Sequence, residues 1–273
     1  MKIIFNCHTE YDLENKFGKA LRNLQENQSY NHLPLLFRWI NDLKIPMNYA
    51  LGVGGPFGIN LIEFLKDKKF IFNELNELGI HFHAEDYADK IWQFKKFLTK
   101  EDYKYYYDKF SELLNHNPNY TVFGKWYLDK NNFEFLKYLG IAKDASWIDS
   151  KTIIKSPFFI NEILEIPVLS YGGRHLNPFT KLSHFFILRK IIKEYNKENL
   201  IIQIGFHSYD LFDFSGNPKL RLTKKIIFKN ILKLARKFNI EIINLSQLQK
   251  NNFKDLEKIK MPFMGKVLNL IGH

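Results

Sequence analysis

Short apolar segments rich in β-branched residues alternate with amphipathic segments along the chain, and this alternation limits the possible folds more than any other feature. The first segment, KIIFNC at 2–7, is largely apolar, as expected for a strand that is buried on both faces. The segment at 222–239 instead repeats apolar residues at the spacing of a helix. Repeated strand and helix segments predict an α/β fold, a parallel sheet with helices packed outside it.

One domain over residues 1–273 is predicted, because no internal repeat and no linker rich in Pro, Gly or Ser interrupts this pattern. Gly79 follows a helical apolar pattern and suits the position just after a helix C-terminus. The predicted strands are 2–7, 46–55, 80–85, 162–173 and 200–210, and the predicted helices are 32–45, 70–79, 101–110, 133–140 and 222–239, with a strand-like segment at 240–248.

The composition is that of a folded globular protein, since 45% of the 273 residues are hydrophobic. No apolar run reaches the roughly 18 residues that span a bilayer. Polar residues interrupt the N-terminal segment too early for a signal peptide, so we expect a cytoplasmic protein. The single cysteine, Cys7, excludes an intrachain disulfide and a zinc site built from several cysteines. We expect Cys7 to be a small buried side chain.

The formal net charge of +11 suggests anionic partners, but only six of the 40 basic residues are arginine. Arginine provides the planar, bidentate hydrogen bonding on which base and phosphate recognition usually depends. We therefore expect a solvated lysine surface and no specific nucleic-acid partner. The basic amphipathic segment 222–239 leaves open a weak association with anionic polymers or with a membrane surface.

Histidine and acidic side chains follow three of the predicted strands. His8 and Glu10 come at the end of the first strand, and His81 and His83 lie in a central one. His207 ends a late strand. The carboxyl ends of parallel strands meet at one edge of a sheet, where functional sites of such folds lie. Side chains two residues apart on a strand face the same way, so each pair presents both of its groups to one side.

The residue types at these strand ends suit a metal ion, because two neutral imidazoles and a carboxylate are a common ligand set for Zn²⁺ and similar divalent ions. Glu10, His81 and His83 are the predicted ligands. Alternatively, one histidine of the pair is a hydrogen-bonded structural residue and the other is exposed. His207 is a candidate general acid, since the pKa of imidazole lies near neutrality. It could also be a third ligand or cap a loop, and Asp210 could orient it.

Further aromatic and polar side chains near the strand ends are candidates for binding a substrate. Lys125 and Trp126 fall in a predicted loop after a short strand, where the indole could form the floor of a sugar pocket or fill a gap between helices. Trp147 and Asp210 are the other predicted substrate contacts. The aromatic segment 101–110 could contact sugar rings, but a packed helix with lysines extending to solvent is favoured.

The order of the segments resembles the polysaccharide deacetylase family, whose fold is a distorted (β/α) barrel. LKIPMNYALGVGG at 43–55 is similar to the segment that follows the family's first helix. NELGIHFHAEDY at 76–87 occupies the place of the strand that carries the metal histidines. YLGIAKDASWI at 138–148 and NIEIINLSQL at 239–248 resemble later family segments. The resemblance covers most of the chain in the same order and implies the same barrel.

The resemblance also implies a chemistry, the removal of an acetyl group from an N-acetylated sugar. In the family a divalent ion polarises the amide carbonyl and binds the attacking water, a carboxylate acts as base, and a late-strand histidine protonates the leaving amine. By position, Glu10 matches the metal-binding acid, and His81 and His83 match the metal histidines. His8 stands where the family has its base carboxylate, and His207 matches the late-strand acid.

The chain departs from the family pattern at three points. CHTE at 7–10 replaces the pair of aspartates after the first strand, and Tyr87 stands at the usual place of the second metal histidine. The arginine that supports the base is missing, and only Lys125 lies nearby. We expect a zinc-dependent hydrolase that deacetylates a sugar of a surface polysaccharide, such as lipopolysaccharide, or of its precursor. The alternatives are a degenerate relative that binds carbohydrate or a partner protein, and a binder of anionic polymers or membrane surfaces.

Overall fold

Strands and helices alternate along the chain, as the sequence pattern predicts. The computed structural model describes residues 1–12, 29–55, 58–68, 71, 73–83, 86–88, 91–93, 98–124, 130–148, 156–171, 174–215 and 217–248. The strands are β1 Lys2–Thr9, β2 Met47–Val53, β3 Asn76–Phe82, β4 Asp86–Ala88, β5 Ile91–Gln93, β6 Thr121–Phe123, β7 Lys143–Asp144, β8 Phe158–Ile160, β9 Ile163–Glu165, β10 Ser170–Tyr171, β11 Arg174–His175, β12 Ile201–His207, β13 Phe212–Asp213, β14 Lys219–Leu220 and β15 Glu241–Ile242. The helices are α1 His32–Leu43, α2 Asn60–Leu65, α3 Lys100–Leu114, α4 Lys130–Tyr138, α5 Leu182–Tyr195 and α6 Leu222–Lys237.

The main sheet is a curled, mostly parallel sheet. Its strands follow the order β12-β1-β2-β3-β6-β7-β9-β8, and β15 also pairs with β1. Among the strands that the structure describes in this sheet, only β8 runs antiparallel to its neighbour, β9. Beyond β9, Val168 forms one parallel bridge to Ile148 and another to Gln203 of β12, so the sheet curls back toward its first strand. The architecture is a distorted (β/α) barrel, and the predicted fold class is confirmed.

Strand β1 is buried on both faces, which explains its apolar sequence. Ile3, Phe5 and Cys7 belong to the main core, which lies between the sheet and its helices. Ile4 belongs to a second, smaller core that also contains Val122 of β6. Because successive strand residues face opposite sides, the even-numbered residues of β1 point into the curl of the sheet. The burial of Cys7 confirms its predicted role as a small apolar side chain.

Four of the predicted helices are confirmed, and none of the helices described is long and apolar enough to cross a membrane. The segments 32–45, 101–110, 133–140 and 222–239 form α1, α3, α4 and α6. Gly140, with φ of 72°, follows α4 in the left-handed conformation that glycine adopts most easily.

The predicted helix at 70–79 is wrong where the structure describes it. Asn76–Phe82 form β3, which pairs with β2 on one side and with β6 on the other. Gly79 lies inside this strand, where a Cβ atom would come within 2.5 Å of the Tyr120 ring. The glycine therefore allows close packing and does not end a helix. Pairing with strands on both sides overrides a local pattern that is typical of a helix.

Two of the predicted strands are shorter in the structure than the sequence pattern indicates. The segment 162–173 is broken after β9, because Pro167 has no N–H to continue the ladder. Its last part forms β10, which pairs with β11 in a small antiparallel hairpin. The segment 240–248 is a strand only at β15 and then forms a 3₁₀ turn at Leu245–Gln247.

Candidate metal centre

The strand register brings the predicted site residues to one edge of the sheet. His8 on β1 is paired with His207 at the end of β12. On the other side of β1, Gly52 of β2 is paired with His81 of β3. A Cβ atom at Gly52 would lie 3.1 Å from the Thr9 carbonyl oxygen and 3.8 Å from Cγ of Glu10. The glycine therefore avoids a tight contact with the end of β1, next to Glu10.

Three potential ligand atoms converge at this edge. Oε1 of Glu10 lies 3.4 Å from Nε2 of His81 and 3.5 Å from Nε2 of His83. One ligand atom from each residue lies within 4.8 Å of the other two, and all three residues are buried. The imidazole rings of His81 and His83 are 4.3 Å apart between centroids, as expected for side chains on the same face of one strand.

This donor set fits a divalent cation. Around a tetrahedral ion with bonds of about 2.0–2.1 Å, ligand atoms are about 3.3–3.4 Å apart, close to the separations from Glu10. Nδ1 of His81 donates a hydrogen bond to the Val122 carbonyl at 3.0 Å. Burial, and then His83, lower the pKa of His81, so the neutral ring keeps its lone pair on Nε2, next to the Glu10 carboxylate. A ring nitrogen with a lone pair and a carboxylate oxygen can both bind one cation.

The Glu10 side chain is ionised in spite of its burial. Burial disfavours a charged carboxylate, but the neighbouring His207, His81 and His83 outweigh it and hold the pKa of Glu10 well below its usual range. A buried carboxylate at the centre of three imidazoles is an electrostatic arrangement that a cation would complete.

His207 lies on the far side of Glu10 from the histidine pair. Its Nε2 is 3.6 Å from Oε1 of Glu10, and its Nδ1 is 3.6 Å from Oδ2 of Asp210. Burial lowers the pKa of His207, but Glu10 and Asp210 more than offset this and raise the pKa above its ordinary value. Asp210 also accepts hydrogen bonds from the His207 backbone N–H at 2.8 Å and from Nδ2 of Asn177 at 2.6 Å. The Tyr209 ring stacks on His207 with centroids 4.8 Å apart.

His8 stands between the histidine pair and His207. Its ring centroid is 4.6 Å from that of His81 and 5.2 Å from that of His207. Burial, followed by the charges of His81 and His207, holds the pKa of His8 well below its ordinary value. A neutral imidazole therefore occupies the place where the resemblance puts a base carboxylate.

A buried network behind Glu10 was not predicted from the sequence. The carboxylate of Asp12 accepts a hydrogen bond from Nδ1 of His32, and Nε2 of His32 accepts one from the Ser208 hydroxyl at 2.8 Å. Oγ of Ser208 in turn accepts the Glu10 backbone N–H at 3.1 Å. The network ties the end of β1, the start of α1 and the residue after His207 together. Only the placement of Asp12 and Ser208 beside predicted site residues could have suggested it.

The His83 imidazole fits closely against the backbone of the neighbouring strand end. A Cβ atom at Gly124 would lie 2.7 Å from Nδ1 of His83, nearer than real Cβ contacts come. Position 124 must therefore be glycine for His83 to keep this orientation.

The predicted substrate contacts have different surroundings. Lys125 and Trp126 lie outside the described residues. Trp147 is buried, and its ring packs edge-on against Phe158 with centroids 5.3 Å apart, so it belongs to the core and exposes little surface to a sugar. Asp210 is hydrogen-bonded to its neighbours, as described above. A sugar contact from any of these four residues stays a prediction.

A second unpredicted feature is a pair of buried carboxyl groups, Asp144 of β7 and Glu165 of β9. The Ser146 hydroxyl donates to Asp144 at 2.9 Å, and the Trp147 backbone N–H donates to Glu165 at 2.7 Å. Burial raises the pKa of Asp144 to about 6. Burial and the neighbouring Asp144 raise the pKa of Glu165 well above its usual range. The pair therefore holds at least one proton, shared between the two carboxyl groups, near neutral pH.

Comparison with known proteins shows a likeness of fold. No protein-family model matches the chain, and no curated protein matches it in sequence. Its structure is similar to that of a Mycobacterium smegmatis protein assigned as a polysaccharide deacetylase, with a TM-score of 0.62, 11% identity, and coverage of 96% of this chain and 94% of that chain. A Pseudomonas aeruginosa PAO1 protein with the same assignment has a TM-score of 0.58 and 12% identity, with 89% and 87% of the two chains covered.

The fold is also shared with enzymes of other activities. A GH57-type branching enzyme from Pyrococcus horikoshii has a TM-score of 0.56 and 10% identity, with 94% of this chain and 72% of that chain covered. A shared fold at such identities does not carry an activity with it. The chain has the fold of the polysaccharide deacetylases over most of its length, as the order of its sequence segments predicted.

Proposed function

We propose that the protein is a metal-dependent hydrolase that removes the acetyl group from an N-acetylated sugar. The observation that carries the proposal is the convergence of Glu10, His81 and His83, whose ligand atoms lie within 4.8 Å of one another, with separations of 3.4 and 3.5 Å from Glu10 that are close to those around a tetrahedral divalent ion. The ion is expected to be zinc, and the polysaccharide deacetylase fold supports a carbohydrate amide as the substrate. A surface-polysaccharide substrate and a cytoplasmic location stay predictions.

An ion held by these residues would polarise the amide carbonyl and lower the pKa of a water molecule. His8, a neutral imidazole whose ring centroid lies 4.6 Å from that of His81, would accept a proton from that water. His207, held by Asp210, would donate a proton to the amine nitrogen as the C–N bond breaks. The C–O bond formed in the same reaction gives acetate, and the sugar leaves as a free amine. Glu10 would balance the charge of the ion.

Metal binding is the first test. We expect purified protein, stripped with a chelator, to bind Zn²⁺ or Co²⁺ in competition with a chromophoric chelator. His83→Ala should weaken binding by about 100-fold or more, because it removes one of three ligands. The matched control is His116→Ala, a histidine in the loop that follows α3, away from the strand ends that carry the site. If the wild type binds no divalent metal, or if His83→Ala binds as tightly as the control, the proposal is wrong.

Acetate release from N-acetylated sugars is the second test, and it separates catalysis from binding. His207→Ala should keep the metal but lose about 100-fold or more in turnover, since it removes a proton donor and leaves the three ligands in place. A variant as active as the wild type would contradict the role of His207.

One observation favours a non-catalytic alternative. The base position holds His8, whose pKa burial lowers, where the family has a carboxylate. A degenerate protein would bind the metal and the sugar without releasing acetate. Saturable sugar binding with no turnover on a broad panel of N-acetylated sugars would select this alternative.

A further inference from the structure

Four large apolar side chains are exposed on the first turns of two neighbouring helices. Leu182 and Phe186 of α5 are 58% and 52% exposed, and Leu222 and Ile226 of α6 are 71% and 49% exposed. Each pair is four residues apart and so shares one side of its helix. Among the described residues, the only other exposed aliphatic or phenylalanine side chain is Leu35, at 37%. Helices α5 and α6 contact each other, and these four side chains at their N-terminal turns are together called the apolar patch.

The patch lies at the same edge of the barrel as the metal centre. The C-terminal ends of α5 and α6 lead directly into β12 and β15, which run parallel to β1. The N-terminal turns of both helices therefore lie near the carboxyl ends of the strands. A direct contact supports this placement, because the Arg221 backbone N–H donates to the Leu211 carbonyl at 2.9 Å, four residues after His207.

The two helices that carry the patch are strongly basic. Helix α6 carries six basic residues and no acidic one, and α5 carries three basic residues and one acidic residue, Glu194. Lys225 and Lys229 follow the exposed Leu222 on α6, and Lys181 precedes the exposed Leu182 on α5. The basic residues of the two helices are Arg189, Lys190, Lys193, Lys224, Lys225, Lys229, Lys233, Arg236 and Lys237.

We propose that this docking face, formed by Leu182, Phe186, Leu222, Ile226 and the surrounding lysines, binds the surface of a membrane that contains anionic phospholipids. Lysines attract anionic head groups, and apolar side chains that project beside them enter the boundary between head groups and acyl chains. A nucleic acid or an acidic polysaccharide would also be attracted by these lysines, but neither would remove the four apolar side chains from water. The apolar patch is therefore the feature that favours a membrane over a soluble polyanion.

Docking in this way would hold the metal centre close to the lipid surface. Together with the proposed function, on which this step rests, docking at the lipid surface indicates a sugar substrate that is attached to a membrane lipid. Membrane binding itself does not depend on catalysis and is measured without it.

Vesicle cosedimentation tests the docking face. The full chain is mixed with vesicles of phosphatidylcholine alone or of phosphatidylcholine with phosphatidylglycerol, at low and at high salt. We expect binding to the mixed vesicles only, and weaker binding at high salt. The double variant Lys225→Glu/Lys229→Glu and the double variant Phe186→Ser/Leu222→Ser should each lower the affinity by about tenfold or more. The control is Tyr105→Ser, an exposed aromatic residue on α3.

The outcomes separate the possible occupants. No binding to mixed vesicles overturns the proposal, whatever the result of the acetate assay. Binding that the lysine variant weakens but the Phe186→Ser/Leu222→Ser variant does not, together with equal binding to heparin, shows a site for soluble polyanions and also overturns it. A dimer of the wild type that Phe186→Ser/Leu222→Ser dissociates would show that a second copy covers the patch and would also overturn the proposal. Loss of vesicle binding in both double variants but not in the control supports the proposal.

Discussion

Replacing Glu165 by glutamine should change how the stability of the protein depends on pH. In the folded protein Glu165 lies beside Asp144 in the buried interior, and both carboxyl groups have raised pKa values. A group with a raised folded-state pKa binds more protons in the folded than in the unfolded chain. Its stabilising contribution is complete at low pH and is lost as the pH rises from the unfolded pKa through the folded one. Glutamine has the same shape, can donate to Asp144, and does not titrate.

The magnitude follows from the proton that Glu165 keeps. Above its ordinary pKa of 4.5, Glu165 ionises in the unfolded chain but stays protonated in the folded protein, which costs about 1.4 kcal/mol for each pH unit. Because the unfolded group is only half ionised at pH 4.5, the free energy of unfolding of the wild type should fall by about 2 kcal/mol more than that of Glu165→Gln between pH 4.5 and pH 6.5. Burial raises the pKa of Asp144 to about 6, and because Asp144 is buried in both proteins, its own contribution to the fall is common to the wild type and the variant.

Urea denaturation followed by far-UV circular dichroism, at a series of pH values between 4.5 and 7.5, measures this difference. The histidines of the metal centre titrate equally in both proteins, so their contribution cancels in the comparison. The control is Glu198→Gln, an exposed acidic residue after α5, which should leave the wild-type pH dependence unchanged. If Glu165→Gln loses stability with pH as steeply as the wild type, Glu165 does not hold a proton in the folded protein and the reasoning is refuted.

Three further substitutions test the surroundings of the site and the sheet. Ser208→Ala removes the hydroxyl that accepts the Glu10 backbone N–H, and we expect zinc affinity to fall by about tenfold, as measured by chelator competition. Gly124→Ala places a methyl group 2.7 Å from Nδ1 of His83, and we expect zinc affinity to fall by about tenfold or more with an unchanged circular dichroism spectrum. Gly79→Ala drives a methyl group into the Tyr120 ring, and we expect a loss of about 1–3 kcal/mol in the free energy of unfolding by urea.

Control variants and contradicting outcomes decide how the effect of each of these three substitutions is interpreted. Ser208→Thr keeps the hydroxyl, so it should restore zinc affinity if the hydroxyl positions Glu10. Wild-type affinity in Ser208→Ala would show that the network plays no part in metal binding. Full zinc affinity in Gly124→Ala would show that His83 is not a ligand in its present orientation. Tyr120→Leu should recover part of the stability lost in Gly79→Ala. No recovery would show that the loss does not come from contact between the added methyl group and the Tyr120 ring.

Much of the candidate site could be predicted from local sequence rules. Side chains two apart on a strand share a face, and the carboxyl ends of parallel strands share an edge. These two rules were enough to predict that His8 and Glu10 approach His81, His83 and His207. The same rules could not find His32, which lies on a helix in an apolar segment where only the tertiary structure brings it to Ser208.

The errors in the predicted elements have the same origin. The helical pattern at 70–79 is local, whereas the pairing of β3 with β2 and β6 joins residues about 30 to 40 positions apart in the chain. The carboxyl pair was missed because Asp144 and Glu165 belong to separate short strands and approach each other only through the parallel pairing of β7 with β9.

The sequence by itself determined the alternation of strands and helices, the buried character of β1, and the presence of imidazole and carboxylate side chains at three strand ends. Each of these three features follows from the type and spacing of residues that are close together in the sequence. Only the tertiary structure decided which strands are neighbours, that Gly124 leaves room for His83, and which groups lose their contact with water. Ligand distances and shifted pKa values depend on these long-range contacts, because both are set by what packs around a side chain and not by its neighbours in sequence.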